Sequence, residues 1–70
     1  MKAMAYINKG DLLVSRYSNV KYIAESDDYV KRFAGTGEFL DDWSFELCVN
    51  TLNPEDGSRG WIRVSDVVKA

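Results

Sequence analysis

Apolar and polar positions alternate along several short stretches of the chain, as they do in half-buried β-strands. The stretches 20–25 and 43–50 are also rich in β-branched and aromatic side chains, which favour strands. Residues 11–16 either extend the first strand or form a strand of their own. Four strands are predicted in all: 2–9, 20–25, 43–50 and 60–64.

Turn-forming residues separate these stretches. Asn53-Pro54-Glu55-Asp56-Gly57 predicts a turn and a hairpin return, because proline fixes φ and glycine accepts turn geometry. Ser18-Asn19 predicts a second turn, and residues 65–70 a short terminal one. The strands on either side of these turns should therefore pair antiparallel.

One segment, residues 26–35, has the terminal signals of a helix. Ser26 suits an N-cap and Gly35 a C-terminal stop. With about 100° per residue, Lys31 and Arg32 share a charged face while Tyr29 and Phe33 lie on the apolar one. Read as a strand, the same segment would place a charge on each face between apolar residues, so a short amphipathic helix is predicted.

The predicted fold class is therefore α+β. Its elements form an antiparallel sheet of four to five strands with one short helix packed on one face. The 70 residues, 1–70, make a single small domain, which buries only about 60% of its unfolded surface. A large active-site cleft is not expected.

Composition narrows the chemistry. The chain has no histidine and one cysteine, Cys48, which excludes imidazole-based catalysis, Cys/His zinc sites and an internal disulfide. Cys48 is expected to be a buried thiol that packs as a small hydrophobe. We expect no enzyme activity, no cofactor and no metal. The acidic residues Glu38, Asp41, Asp42 and Glu46 match no calcium loop and are expected to be solvated.

Charge is uneven within the net value of −2. Residues 1–24 carry +3 and residues 25–46 carry −5, while a domain that binds nucleic acid alone usually shows a basic excess. No membrane span or signal peptide is recognisable, so a cytoplasmic, monomeric protein without membrane contact is predicted. A protein becomes the expected partner.

The candidate binding residues are tyrosines and charged side chains. Tyr6, Tyr17 and Tyr22 are predicted to point outward beside Lys21 and Arg16, a mixture suited to protein interfaces, where tyrosine and arginine are enriched. Lys31 and Arg32 lie on the exposed helix face, where ion pairs with Asp27 and Asp28 are the alternative role. The aromatics Phe39, Trp43, Phe45 and Trp61 are expected to fill the core rather than to stack on bases. The predicted partner-binding set is Tyr6, Lys21, Tyr22, Asp27, Asp28, Lys31 and Arg32.

Several short pieces of the sequence resemble a family of small phage anti-CRISPR proteins that inhibit type I-F interference. The matching residues span nearly the whole chain and include no catalytic motif. They are Met1-Lys2-Ala3, Ala5-Tyr6-Ile7, Lys9, Ala24-Glu25-Ser26, Lys31-Arg32, Ala34, Glu55-Asp56-Gly57, Arg59 and Trp61.

The resemblance implies one helix on an antiparallel sheet and a non-enzymatic inhibitor. Such an inhibitor binds the backbone subunits of a CRISPR RNA-guided surveillance complex beside the guide RNA and blocks pairing with target DNA. The family's DNA-holding basic residues match Lys31 and Arg32, but Gly35-Thr36-Gly37-Glu38 replaces a more basic stretch. The resemblance therefore implies at most weak DNA contact within the complex, and a complex of another type I subtype is an equal target.

Two alternatives belong to other classes. Gly10-Asp11-Leu12-Leu13-Val14 and the segment 60–68 look like the first and last strands of an SH3-like barrel, a protein-interaction module, with Arg63 where the closing motif normally has proline. The barrel's acidic-aromatic opening, which lines a polyproline groove, is missing. A small nucleic-acid-binding barrel would instead need Tyr6, Tyr17 and Tyr22 on one face with the basic first third.

Overall fold

The computed structural model describes residues 6–34 and 43–70, without the side chains of Ala34 and Trp43. Within these ranges every regular element except one 3-10 turn is a strand. The strands are β1 (Leu12–Ser15), β2 (Lys21–Ala24), β3 (Tyr29–Ala34), β4 (Trp43–Leu52), β5 (Arg59–Arg63) and β6 (Val67–Lys69), with the 3-10 helix Val64–Asp66 between β5 and β6.

The long strand β4 organises the sheet. It pairs antiparallel with β3 through residues 43–48, with β5 through 48–52 and with β2 through 51–52. Residue 48 of β4 pairs with both β3 and β5, and residues 51–52 pair with both β2 and β5. β5 therefore lies along one edge of β4, and β3 and β2 lie one after the other along the opposite edge. One strand therefore belongs to two neighbouring parts of the same curled sheet.

The sheet curls into an antiparallel half-barrel. β1 pairs with β2 on one side and with β6 on the other, so the beginning and the end of the described chain meet. The 3-10 helix at 64–66 carries the chain from β5, beside β4, to β6, beside β1.

A small apolar core lies on the inner face of this sheet. Strand alternation points Leu13, Ala24 and Val49 inward, and all three are buried. Ile7 and Val67 complete the buried cluster, against which Tyr22, Ile62 and Val64 pack.

The predicted hairpin turn is confirmed. The Gly57 N–H donates to the Asn53 carbonyl at 2.8 Å, and the Asn53 side chain accepts the Glu55 N–H at 2.9 Å. Gly57 has φ +73°, which glycine adopts without a Cβ clash. The strands predicted at 20–25, 43–50 and 60–64 correspond to β2, β4 and β5.

The α+β prediction is wrong, because the segment predicted as a helix is largely β3. Tyr29, Lys31 and Phe33 share one sheet face, where the Lys31 ammonium lies over aromatic rings, so a charge between two apolar residues is compatible with a strand. Valine, tyrosine and phenylalanine also favour extended backbone. The described residues contain six strands and no α-helix.

Asp27 and Asp28, predicted to lie in the first turn of a helix, accept hydrogen bonds from another part of the chain. Asp28 accepts the backbone N–H of Ile7 at 2.9 Å, and Asp27 that of Lys9 at 2.9 Å. These two hydrogen bonds connect the segment before β1 to the segment before β3.

Two end predictions also need correction. Residues 6–10 form bends and a turn instead of the end of a first strand, while residues 1–5 lie outside the described ranges. The predicted terminal turn at 65–70 is the end of the 3-10 helix followed by β6, which pairs with β1.

Candidate functional site

A group of charged and aromatic side chains lies on the outer face of β3, β4 and β5. The register pairs Lys31 with Glu46 and Cys48 with Arg63, and paired residues of an antiparallel sheet share a face. Alternation by two adds Phe33 and Trp61 to the same face. We call Lys31, Phe33, Glu46, Trp61 and Arg63 the cation–aromatic surface.

The two rings of this surface contact each other. The ring centroids of Phe33 and Trp61 are 5.5 Å apart, with an interplanar angle of 48°. This tilted arrangement is among those that aromatic pairs prefer. Trp61 keeps 44% of its surface exposed, so the pair is not an interior contact.

Both cations lie over the rings. The Lys31 ammonium is 5.0 Å from the Trp61 ring centroid, and the Arg63 guanidinium carbon is 4.7 Å from that of Phe33. Such cation–π contacts contribute about 0.5–1 kcal/mol at exposed sites. They hold the two long side chains along the rings and leave their remaining N–H groups available to a partner.

Glu46 fixes one of the two cations. Its Oε2 accepts a hydrogen bond from Arg63 Nε at 2.6 Å. The hydrogen bond and the charge of Glu46 raise the pKa of Arg63 above its ordinary value. With Glu46 balancing Arg63, the formal charge of the surface is +1, which comes from Lys31.

Cys48 lies on the same face of β4, where it pairs with Arg63, and is fully buried as expected. Burial raises the pKa of the Cys48 thiol, and the nearby Arg63 and Lys31 offset this only in part. The thiol is therefore in its protonated form at neutral pH and is a poor nucleophile. Among residues 6–34 and 43–70, no group of three or more acidic or cysteine side chains is arranged to hold a metal ion.

The predicted binding residues are spread over the molecule. Lys31 belongs to the cation–aromatic surface, but Arg32, one residue further along β3, lies on the opposite face, so the shared helical face predicted for them does not exist. Asp27 and Asp28 are occupied by the backbone N–H groups described above.

The remaining predicted residues also lie apart. Tyr6 is exposed, with the Lys69 ammonium 5.0 Å from its ring centroid. Tyr22 packs against the core on the inner face, whereas Lys21, its neighbour in β2, lies on the outer face and is exposed. The three tyrosines Tyr6, Tyr17 and Tyr22 are therefore not equally available as a stacking platform.

Phe33, Glu46, Trp61 and Arg63 were not predicted to bind a partner. The signal that could have identified three of them is alternation by two, in Lys31-Arg32-Phe33 and in Trp61-Ile62-Arg63. The predictions that Phe45 and Trp61 fill the core are also wrong, since 65% and 44% of their surfaces are exposed. Of the other residues predicted to be solvated or to fill the core, Glu38, Phe39, Asp41 and Asp42 lie outside the described residues, as does the side chain of Trp43.

Comparisons with protein-family models, curated proteins and solved structures find no match to this chain. In the part of the chain that the structure describes, no helix has the length and apolar character to cross a membrane.

Proposed function

We propose that this protein is a small β-barrel-like interaction module that binds another protein through its cation–aromatic surface and catalyses no reaction. The observation that carries the proposal is the Phe33–Trp61 pair, with Trp61 exposed, Phe33 half-buried, and Lys31 and Arg63 over the rings. Tryptophan, tyrosine and arginine dominate the energetically important positions of protein interfaces. Here an exposed tryptophan and an arginine are held in place before any partner arrives.

The strand arrangement supports the SH3-like alternative more than the helix-on-sheet one. An SH3-like barrel formed by this chain would pair its first strand, within 10–14, with its last strand, near 60–68. In the structure β1 pairs with β6, and a 3-10 helix precedes β6. The proposed contact is the outer face of β3–β5, because the acidic-aromatic opening of a polyproline groove is missing from this chain.

A protein with acidic groups at its binding site fits this surface best. The free charge of the surface is the Lys31 ammonium, next to an exposed indole. A carboxylate of the partner would pair with Lys31 while an apolar side chain covers Trp61. The net charge of −2 for the whole chain favours a protein over naked nucleic acid.

The anti-CRISPR inhibitor is the specific form of this proposal that the sequence resemblance supplies. In that form, the partner is a type I surveillance complex in the host cytoplasm. The support is the short sequence matches, Lys31 and Trp61 among them. The structure has no α-helix among its described residues, so the shared fold that the resemblance implied no longer adds support.

The experiment is a binding panel with matched variants. Purified type I surveillance complexes of several subtypes, each loaded with guide RNA, are tested for co-elution with the protein and for loss of target-DNA binding. Trp61→Ala and Lys31→Glu should each weaken binding at least tenfold, while the controls Tyr17→Ala and Lys9→Glu, at exposed positions elsewhere, should bind as wild type does.

Two results would separate the parts of the proposal. If no complex co-elutes, the anti-CRISPR form is wrong. If a partner binds Trp61→Ala and Lys31→Glu as tightly as wild type, the cation–aromatic surface is not the contact. Tight binding to a labelled duplex or single strand, weakening steeply between about 50 and 200 mM salt, would instead identify a nucleic-acid-binding domain.

A further inference from the structure

A pocket of about 190 Å³ opens on the inner face of the sheet, where β2, β4 and β5 meet. It is lined by Tyr22 of β2, Thr51 of β4 and residues 58–62 around β5. Trp61, next to Gly60 in β5, lines this pocket, while its side chain belongs to the cation–aromatic surface on the outer face, so the two features lie on the two faces of β5.

Gly60 contributes open space to the pocket, since it carries no side chain. Gly60 pairs directly with Thr51 across β4 and β5, and both residues point to the inner face. A Cβ added at Gly60 would meet no atom within 4 Å. Glycine inside a strand often marks a place where another molecule comes close to the backbone.

Thr51 supplies a polar group to the lining of the pocket. It is the only buried residue of the lining, with 5% of its surface exposed. No described residue forms a hydrogen bond with its hydroxyl, yet that oxygen is not sealed away from solvent. Because a threonine hydroxyl can both donate and accept, it can form a hydrogen bond with a polar group that enters the pocket.

The rest of the lining favours an uncharged aromatic group. Tyr22 and Ile62 provide apolar surface, and Trp61 borders the pocket from β5. Arg59 is paired with Glu25 through a 2.6 Å contact, so the pocket does not require an anion. Its volume is below the about 300–1,000 Å³ of small-molecule sites.

We propose that this pocket takes one tyrosine side chain of the bound protein, whose phenol hydroxyl pairs with the Thr51 hydroxyl. The inference rests on the proposed function and deepens it: the cation–aromatic surface makes the broad contact, and the pocket on the inner side of β5 holds an anchor residue that reaches past this strand. Anchors of this kind, buried in a pocket of the partner, contribute much of the free energy of binding at interfaces.

The test uses p-cresol, which is the free tyrosine side chain, with toluene as the probe without the hydroxyl. In two-dimensional NMR titrations of the labelled protein, p-cresol should shift the amide signals of Thr51, Gly60 and Ile62, and toluene should bind more weakly. N-acetyltyrosinamide should shift the same signals if the site accepts tyrosine on a polypeptide; binding of p-cresol alone would identify a site for free phenols and overturn the proposed partner.

Two variants keep the test decisive. Thr51→Val should weaken p-cresol binding about three- to tenfold, as expected for one lost hydrogen bond, and leave toluene binding unchanged. Gly60→Val, which puts a β-favouring side chain into the open space, should abolish binding of both probes. Equal binding of p-cresol and toluene to wild type, or unchanged p-cresol binding by Thr51→Val, would overturn the inference.

Lys31→Glu separates the pocket from the proposed function. Lys31 does not line the pocket, so this variant should keep p-cresol binding while it loses the protein partner. If wild type binds the partner through the cation–aromatic surface but p-cresol produces no localised shifts, only the anchor pocket is wrong. The control Ser44→Val, at an exposed position on the outer face, should bind both probes as wild type does.

Discussion

The rings of Phe33 and Trp61 are in contact although their backbones are paired with distant parts of β4. Phe33 pairs with Ser44 and Trp61 with Asn50, six residues along the strand, yet the ring centroids are 5.5 Å apart. In a flat sheet these positions would be separated by about 20 Å along β4. The contact therefore depends on the curl of the sheet and on both side chains leaning across it.

This dependence predicts a measurable coupling between the two rings. In a double-mutant cycle, Phe33→Ala and Trp61→Ala should each lower the free energy of unfolding, and the double variant should lose about 0.5–1.5 kcal/mol less than the two losses added together. Urea denaturation measures all four proteins. A control cycle of Phe33→Ala with Tyr17→Ala, at a turn residue 80% exposed, should be additive; additivity in the first cycle would contradict a stabilising ring contact.

The sequence pattern was sufficient for the parts of the fold that depend on local geometry. The turn at 53–57 requires proline and a positive-φ glycine, and β4 and β5 on either side of it carry the residues that strands favour. β3 could not be predicted this way, because part of what accommodates the charge of Lys31 lies far along the chain. The Lys31 ammonium is 5.0 Å from the ring centroid of Trp61, which is thirty positions later in the sequence.

Because residues 29–34 form a strand, an alanine substitution there should lower the free energy of unfolding, whereas in a helix it should raise it. Val30 is 63% exposed, so Val30→Ala removes little packing and mainly tests backbone preference. In β3 the change should lower the free energy of unfolding by several tenths to about 1 kcal/mol, whereas in a helix alanine would be favoured. Urea denaturation measures the effect, and chemical shifts of extended backbone over 29–34 should accompany it. Greater stability with helical shifts would contradict the strand.

The same long-range dependence applies to the candidate site. Tyrosines, lysines and acids were predicted from residue type and from a shared helical face, but the cation–aromatic surface combines β3, β4 and β5, which requires the register of three strands. Asp28 shows the reverse case, a predicted contact residue that holds the fold through Ile7.

Asp28 should therefore be a stability residue. Ile7 is fully buried and its N–H donates to Asp28, so Asp28→Ala leaves that N–H without an acceptor at a cost of about 1–3 kcal/mol. Asp27→Ala, which affects the exposed Lys9 N–H, should cost less. Thermal denaturation of both variants gives the comparison, and Asp28→Asn, which keeps an acceptor oxygen, should recover part of the loss. Equal, small effects of both alanine variants would contradict this role.

Asp11 predicts how stability changes in acid. The hydrogen bond from the Asn8 N–H, 2.9 Å from Asp11 Oδ2, lowers the pKa of Asp11, and Lys69 at 3.5 Å lowers it further. Because the pKa is lower in the folded protein than in the unfolded chain, where it is about 3.9, the ionised carboxylate contributes stability above that value. This contribution is lost as pH falls through the lower pKa of the folded state.

Urea denaturation of wild type and Asp11→Asn between pH 6 and pH 2 measures this contribution. Wild type should be the more stable protein at pH 6, and the difference should shrink towards zero as Asp11 becomes protonated. Added salt should reduce the part due to Lys69, because surface charges are screened, while the hydrogen bond from Asn8 persists. A difference that does not change with pH would show that the charge of Asp11 does not stabilise the folded state.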